Sequence, residues 1–233
     1  SGVMNNKKIK LVAFIGKSAS GKDTIVNKFC EKYKQVHKKI STTTRPPRDY
    51  EKDGVDYYFV SGEEFAEKVL NFEMIEACDF RDWFYGTELK ALDENKINVG
   101  IFTPDGVRAL REDNRIELLV IYVVSPRKTR LIRSLQREES PDIDEIFRRY
   151  KADEEDFSEL DFDFYPIANT EKNSIDDLVD RASQLVIEKF EAKAKYKEEL
   201  YKAGSMSDGE RVCLYLISQC LITPENHIIV IDE

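Results

Sequence analysis

The sequence predicts an α/β protein with a mainly parallel sheet between two layers of helices, that is, a three-layer fold. Two observations support this prediction. Short apolar runs typical of buried strands alternate with segments of helical pattern along the chain. The strongest run, IELLVIYVV at 116–124, is almost continuously apolar. Such runs are typical of parallel strands that are buried on both faces.

The other elements follow from local patterns. We expect the further strands at 8–15, 36–41, 97–103 and 163–168, with an extended segment at 74–87. Ser61 and Glu64 match a capping box, and Pro104 suits the first position of a helix. We therefore expect helices at 25–34, 61–70, 88–95, from 104 onward, 127–139, 142–157 and 174–202.

Composition limits the kinds of function. The chain has 233 residues, of which 41% are hydrophobic and 35% charged, which suits one core with or without an appendage. A net charge of −9 disfavours nucleic-acid binding as the main task, although a local cluster of cations can still hold a mononucleotide. Four cysteines without CxxC spacing and two histidines make a zinc site improbable. We expect reduced thiols, a cytoplasmic location and no membrane partner.

The segment GKSASGKDT at 16–24 fits the phosphate-binding pattern GxxxxGK between a strand and a helix. Its backbone N–H groups and the following helix N-terminus suit the phosphates of ATP. The expected ATP-binding residues are Gly16, Ser18, Ala19, Ser20, Gly21, Lys22, Asp23 and Thr24. Lys22 is expected to reach the transferred phosphoryl group. The alternative interpretation is an ordinary strand-to-helix turn.

Magnesium is the expected cofactor, but the motif is unusual at the position that contacts it. Asp23 stands where the strict motif has Ser or Thr. Either Thr24 supplies the hydroxyl ligand, or Asp23 holds the ion directly or through water.

The next segment, STTTRPPRDYEKDGVDYYF at 41–59, resembles the GMP-binding region of guanylate kinases, whose pattern is S-x-T-T-R-x-P-R-x-x-E-x-x-G-x-D-Y-x-F. Ile75-Glu76 and Tyr85-Gly86-Thr87 are similar to further elements of that family. The resemblance covers roughly residues 8–190. It implies a P-loop nucleoside monophosphate kinase fold with a small GMP-binding subdomain near 40–90 and a helical lid near 127–157. The implied reaction transfers a phosphoryl group from ATP to GMP or dGMP.

The residue chemistry agrees with this resemblance. Two arginine forks and two tyrosine hydroxyls suit a phosphate monoester, and one carboxylate can accept both N1–H and N2–H₂ of guanine. Hydroxyl groups at 41 and 87 can serve guanine O6. The implied GMP-binding residues are Ser41, Arg45, Arg48, Glu51, Tyr57, Glu76, Tyr85 and Thr87. The alternative interpretation, which would be preferred for an Arg pair alone, is that these arginines are exposed side chains on a solvated loop.

The arginine-rich segment at 127–151 is similar to the mobile lid of the family. Arg137 and Arg149 are the expected clamps on the ATP phosphates, with Arg148 next, so that the expected catalytic residues are Lys22, Arg45, Arg137 and Arg149. The alternative is Glu/Arg pairing on exposed helix faces.

One departure from the family concerns an acidic pair after the Tyr-Gly-Thr element. Ile101 and Thr103 occupy those positions here, and Asp105 follows two residues later. The departure bears on magnesium positioning and turnover, and it leaves room for a preference for deoxynucleotides.

The C-terminal segment does not fit the kinase pattern. SDGER at 207–211 and IIVIDE at 228–233 resemble the signature and Walker B segments of ABC-type ATPases. No second P-loop accompanies them, so the alternative is an apolar helix and strand that dock on the kinase or on a second copy. We therefore divide the chain into a tag scar and N-terminal tail at 1–7, a kinase-like domain at 8–190 and an extension at 191–233.

Three rival functions remain open on the sequence. They are another NMP or dNMP kinase, a non-catalytic guanylate kinase-like binding module, and a component of an ABC-type ATPase that acts with a partner. A further interpretation makes Lys22 and Asp232 one ATPase site, since their order along the chain matches the ABC order.

Overall fold

A computed structural model describes residues 7–191 of the chain. The chain divides after Gln184 into two units. The architecture below belongs to the first unit, apart from residues 185–191, which belong to the second. The end of the helix expected at 174–202 and the ABC-like segments at 207–233 lie outside the described residues.

A five-stranded sheet forms the centre of the first unit. Its strands are β1 (Ile9–Ile15), β2 (Val36–Lys38), β7 (Ile97–Ile101), β8 (Ile116–Val124) and β9 (Tyr165–Ala168). Their order is β2-β7-β1-β8-β9, and every neighbouring pair is parallel. Val12 in the central strand pairs with Val99 on one side and Leu119 on the other. The predicted parallel α/β sheet is therefore confirmed.

Helices cover both faces of this sheet. The α-helices within residues 7–191 are α1 (Lys22–Lys32), α2 (Gly62–Leu70), α3 (Pro104–Glu112), α4 (Arg127–Gln136), α5 (Ile143–Asp156) and α6 (Ile175–Val186), and of these α1 and α3 contact the five-stranded sheet most extensively. Alternate side chains of β1 point to opposite faces, as a strand requires. Leu11 joins the buried cluster that includes Val107 and Leu110 of α3, whereas Phe14 contacts Phe29 of α1 at a ring distance of 6.2 Å. The sheet and the helices on its two faces form the three layers of the fold.

A second, four-stranded sheet stands beside the first. Its strands are β3 (Thr42–Thr43), β4 (Tyr58–Phe59), β5 (Met74–Phe80) and β6 (Trp83–Glu88), in the order β4-β3-β6-β5. β5 and β6 form an antiparallel hairpin, so the segment expected to be extended at 74–87 turns back on itself. The capping box of Ser61 and Glu64 is present at the start of α2, as predicted.

Several boundaries differ from the sequence-based expectations. α1 begins at Lys22 because Gly21 ends the loop in the left-handed region. The strand expected at 36–41 splits, since the chain leaves the main sheet after Lys38 and joins the second sheet at Thr42. α4 ends at Gln136, which leaves Arg137 just beyond the helix. The short helix at 88–95 is only a 3-10 turn, Leu89–Ala91.

The last α-helix of the described residues is α6, and a π-helical turn at Ile187–Glu191 follows it. No helix within residues 7–191 has the length and apolar character needed to cross a membrane.

Candidate active site

A cleft of about 710 Å³ lies at the carboxyl ends of β1 and β7. It brings together the glycine-containing loop, the second sheet and the helices at 127–156. Among the residues predicted from the sequence, those that line it are Gly16, Ser18, Ala19, Lys22, Asp23, Ser41, Glu51, Tyr57, Glu76, Tyr85, Arg137, Arg148 and Arg149. Ligands in open parallel sheets bind at this edge of the strands.

The loop at 16–21 has the backbone of an anion nest. Ala19 and Gly21 are both left-handed, with φ of 59° and 89°, and alternating conformations of this kind turn successive N–H groups inward. At Gly21 a Cβ would collide with the side-chain amide of Asn169. That amide donates to Ser20 O at 2.8 Å, and Arg133 Nη1 donates to Ala19 O at 3.2 Å. Two residues distant in sequence therefore hold the loop in shape.

Sequence reasoning missed these two bracing residues. Asn169 is 3% exposed, and its carbonyl accepts a hydrogen bond from Ser125 at 2.8 Å. Arg133 also donates to the Ser125 hydroxyl at 3.1 Å. A single sequence offers no signal for them, because the contacts depend on where β8, β9 and α4 lie relative to the loop.

Lys22 lies at the start of α1 with its ammonium over the loop. Nζ lies 3.5 Å from Lys17 O. Burial lowers the pKa of Lys22, and the carboxylates of Asp23 and Asp153 oppose that shift. A half-desolvated ammonium beside an anion nest is suited to stabilise the charge of a phosphoryl group.

Acidic residues of α5 contact the same loop. Asp153 Oδ2 accepts a hydrogen bond from Ser18 N at 2.9 Å, and Glu154 Oε1 lies 3.1 Å from Lys17 Nζ. The buried guanidinium of Arg130 lies 3.7 Å from Asp153. A carboxylate therefore occupies a backbone donor that we expect to serve ATP phosphate.

The predicted lid arginines share one partner. Arg148 Nε and Arg149 Nε donate to the two oxygens of Glu145 at 2.8 and 2.9 Å. Arg81, at the tip of the β5–β6 hairpin, pairs with the same carboxylate. These hydrogen bonds, led by that of Arg148, lower the pKa of Glu145 strongly. The Glu/Arg pairing considered as an alternative is thus present, and both arginines also line the cleft.

Arg45 is held by Glu51 in a bidentate pair, with both N···O distances at 2.8 Å. Its guanidinium lies 5.4 Å from the ring centre of Tyr57, which contacts Tyr85 edge-on at 6.1 Å. The Arg45 bond, with a weaker contribution from the Arg48 backbone N–H, lowers the pKa of Glu51 to about 2. One guanidinium and two phenols are thus held together, and Tyr57 and Tyr85 line the cleft whereas Arg45 lies outside its lining.

Arg48 lies further out. Its side chain is exposed and donates to the Tyr50 hydroxyl at 3.2 Å, while its backbone N–H donates to Glu51 at 2.9 Å. Arg48 is not among the residues that line the cleft.

The residues that the sequence analysis expects to bind the base centre on Glu76, which is 9% exposed. The Thr87 hydroxyl donates to Glu76 Oε1 at 2.6 Å. Lys39, which sequence reasoning missed, donates from Nζ to Thr87 Oγ1 at 2.8 Å and to Ser41 Oγ at 2.7 Å. The sequence analysis assigned the Thr87 hydroxyl to guanine O6, but in this structure its hydrogen is directed at Glu76.

At the second position of the missing acidic pair, Thr103, and at the acidic residue two positions later, Asp105, the side chains have other partners. The Thr103 hydroxyl accepts from Gly106 N at 3.1 Å and so caps α3. The Asp105 side chain is 85% exposed and pairs with Arg108 at 2.7 Å. Neither residue adds a carboxylate to the cleft.

The residues expected to hold magnesium are compatible with that ion. Asp23 and Thr24 are exposed oxygen-bearing residues at the start of α1, and no cluster of three potential metal ligands exists among residues 7–191. Magnesium commonly keeps several waters and is bound through one or two carboxylates plus substrate phosphates. This donor set fits such an ion.

The parallel sheet, the loop between its central strand and α1, and the arginine-bearing helices on the same cleft define a P-loop phosphotransferase. The guanylate kinase family model matches residues 8–188. Guanylate kinase from Malacoplasma penetrans is 31% identical over 191 residues, which cover 79% of this chain and 97% of that protein.

The guanylate kinase of Anaplasma phagocytophilum is 33% identical over 72% of this chain and 81% of that protein. A crystal structure of guanylate kinase from Anaplasma phagocytophilum aligns with this chain at a TM-score of 0.56 and 28% identity. The alignment covers 79% of this chain and 88% of that one. The chain belongs to the guanylate kinase family.

Proposed function

We propose that this chain transfers the terminal phosphoryl group of ATP to GMP or dGMP and so forms ADP with GDP or dGDP. The observation that supports this most directly is the single cleft that has an anion nest at one end and the Glu76 carboxylate at the other. Transfer proceeds in line, by positioning and charge neutralisation, without a covalent intermediate.

The donor side consists of the loop and the lid arginines. The N–H groups of 18–24 hold the ATP phosphates, and Lys22 contacts the transferred group. Arg137 and Arg149 approach the same group from the lid, once Arg149 exchanges Glu145 for phosphate. Magnesium, held by Asp23 or Thr24, would neutralise phosphate charge when bound.

The acceptor side reads phosphate and base separately. Arg45, Tyr57 and Tyr85 donate to the phosphate of GMP, with Arg48 closing from outside. Glu76 accepts N1–H and N2–H₂ of guanine. Adenine has no such pair of donors, so binding AMP would leave the buried carboxylate unpaired.

An acceptor screen tests this proposal. ADP release is measured with ATP and each of the ribo- and deoxynucleoside monophosphates. GMP or dGMP should exceed AMP, CMP and UMP in kcat/KM by ~10⁴-fold, as expected where two polar partners are lost. Equal use of AMP and GMP would favour a general NMP kinase, and no turnover of any acceptor would favour a binding module.

Glu76→Gln provides the matching variant. It should lower kcat/KM for GMP by roughly 10- to 100-fold, because one amide cannot accept from two guanine donors as a carboxylate does. Glu67→Gln, an exposed position on α2, is the control and should behave as wild type.

We also propose a cytoplasmic location, where Cys30 and Cys78, both free thiols, would stay reduced. The extension at 191–233 is proposed to mediate self-association, on the basis of its apolar sequence alone.

A further inference from the structure

A buried lysine stands at the inner end of the acceptor half of the cleft. Lys39 is 8% exposed, and its ammonium lies 4.4 Å from the ring centre of Phe102. Burial lowers the pKa of Lys39, and the nearby Glu76 carboxylate opposes that shift. Desolvating an ammonium is costly. A cation in such a place therefore needs a structural or functional reason.

The space for Lys39 is provided by a particular glycine. Lys39 directly follows β2, and its backbone N–H donates to Val99 O of the neighbouring strand β7 at 2.9 Å. A Cβ at Gly100 would lie 2.5 Å from Lys39 Cε and 2.7 Å from Lys39 Cγ. The lysine stem thus fills the volume that any side chain at 100 would occupy. Glycine at position 100 is therefore required for Lys39 to occupy this place in the cleft.

Lys39 also decides where two hydroxyl hydrogens point. An ammonium only donates hydrogen bonds, so the oxygens of Ser41 and Thr87 must accept from it. The hydrogen of Thr87 then goes to Glu76 at 2.6 Å. The hydrogen of Ser41 cannot point at Lys39, and Ser41 lines the cleft. The group therefore presents donors beside the acceptor carboxylate of Glu76.

The donors of Lys39 and Ser41 are complementary to one hydrogen-bonding edge of a purine base. A 6-oxopurine offers acceptors at O6 and N7, and lysine is among the usual partners of that edge. An adenine presents an amino group at the same place, where it would face donors and leave both sides unpaired. The contacts on Glu76 and those on Lys39 thus read different atoms of the base.

We propose that Lys39 is a specificity-determining residue for the acceptor, and that its ammonium and the Ser41 hydroxyl it orients donate to O6 of a 6-oxopurine nucleotide. This inference rests on the proposed function, because it concerns the same acceptor site. It adds a positive group that reads O6 to the carboxylate that reads N1–H and N2–H₂.

The test compares three acceptors in wild type and in Lys39→Met, which keeps the stem and removes the donors. GMP has every base contact, IMP lacks the 2-amino group but keeps O6, and 6-thio-GMP replaces O6 with a weaker acceptor. The variant should lose roughly 10- to 100-fold in kcat/KM with GMP and with IMP. With 6-thio-GMP the loss should be less than about threefold. Lys34→Met, at an exposed position, is the control for removing a lysine.

The outcomes separate the two proposals. Equal losses with all three acceptors would show that Lys39 only supports the fold, and would overturn this inference while GMP kinase activity stands. Absence of GMP turnover in the wild type would instead overturn the proposed function. If Lys39→Met does not fold by circular dichroism, Ser41→Ala takes its place, and it must show the same dependence on O6. A uniform loss in Ser41→Ala would also overturn the inference.

Discussion

At the scale of single residues, burial and fixed partners determine what each charge in the cleft can do. Lys22 is partly desolvated beside an anion nest, whereas Arg48 projects into solvent. Arg45 is held on both sides of its fork by Glu51. A charged side chain that is already fixed in one conformation stabilises a developing charge better than a mobile side chain does, because it loses less conformational entropy on binding.

Lys22→Met should reduce kcat for GMP phosphorylation by at least roughly 10²-fold, because it removes a cation that acts on the transferred group. The fold should persist, since the variant removes a buried charge and keeps the aliphatic stem. Steady-state kinetics and circular dichroism measure the two effects. Lys28→Met, an exposed position on the same helix, is the control. A kcat near that of wild type would show that the loop is not the donor site.

Glu51→Gln should lower Tm at pH 7 and should do so less as the pH falls. The pKa of Glu51 is depressed from 4.5 to about 2 in the folded chain. A depressed carboxyl pKa stabilises the fold above the unfolded value, and that contribution is lost as the pH falls through the folded value. The gap in Tm between wild type and variant should therefore narrow from about pH 5 to about pH 2. Glu94→Gln, which is exposed, should match wild type at pH 7, and a pH-independent gap for Glu51→Gln would contradict the argument.

At the scale of elements, helix α5 contacts both the phosphate loop and the tip of the β5–β6 hairpin. Its N-terminal half presents Glu145, which holds Arg148, Arg149 and Arg81 of the hairpin tip. Its C-terminal half presents Asp153 and Glu154 to the loop. On the proposed function, we expect phosphates of ATP to replace these carboxylates at the loop and to draw arginines away from Glu145.

Asp153→Asn should strengthen ATP binding. The variant keeps the size of the side chain but removes a negative charge that accepts from Ser18 N and competes with phosphate for that donor. We expect Kd for ATP, measured by calorimetry in the absence of GMP, to fall about three- to tenfold. Glu155→Gln, exposed on the same helix, should leave Kd unchanged. A weaker affinity in Asp153→Asn would show that the carboxylate supports the loop instead of blocking it.

At the scale of the whole molecule, the two sheets divide the work. The parallel sheet carries the phosphate loop at its central strand, and the smaller sheet carries Glu76, Thr87 and Tyr85, which we propose bind the acceptor. Every residue assigned to either substrate lies between 16 and 149, within the first unit. The extension at 191–233 contributes none of them.

Truncation after Glu191 should leave kcat/KM for GMP close to that of the full chain, because the assigned site is complete without the extension. Solubility and oligomeric state can change, since an apolar segment is removed. Kinetics and size-exclusion chromatography compare the two proteins, with full-length Asp232→Asn as the control for the single-site ATPase alternative. A drop of more than roughly tenfold in a truncated protein that is still folded would place the extension in the active site.

The sequence by itself determined the features that are local in the chain. The run at 116–124 indicated a buried parallel strand, the spacing at 16–24 indicated a phosphate loop, and the motif at 41–59 indicated the acceptor site. The first two signals consist of contiguous residues whose pattern is set within one strand or one strand-to-helix turn, and the third is a contiguous motif that resembles the acceptor region of a known family. That is why the order of elements was correct while several ends shifted by a few residues.

Only the tertiary structure decided which distant residues complete the site. Asn169 and Arg133 hold the loop, Asp153 occupies one of its donors, and Gly100 makes room for Lys39. These contacts join residues that are far apart in the chain, and they exist because parallel pairing brings β2, β7, β1, β8 and β9 to one edge. The local conformational propensities of the residues do not specify that strand order. Burial and hydrogen-bond partners, which set the charge and direction of each group, follow from it.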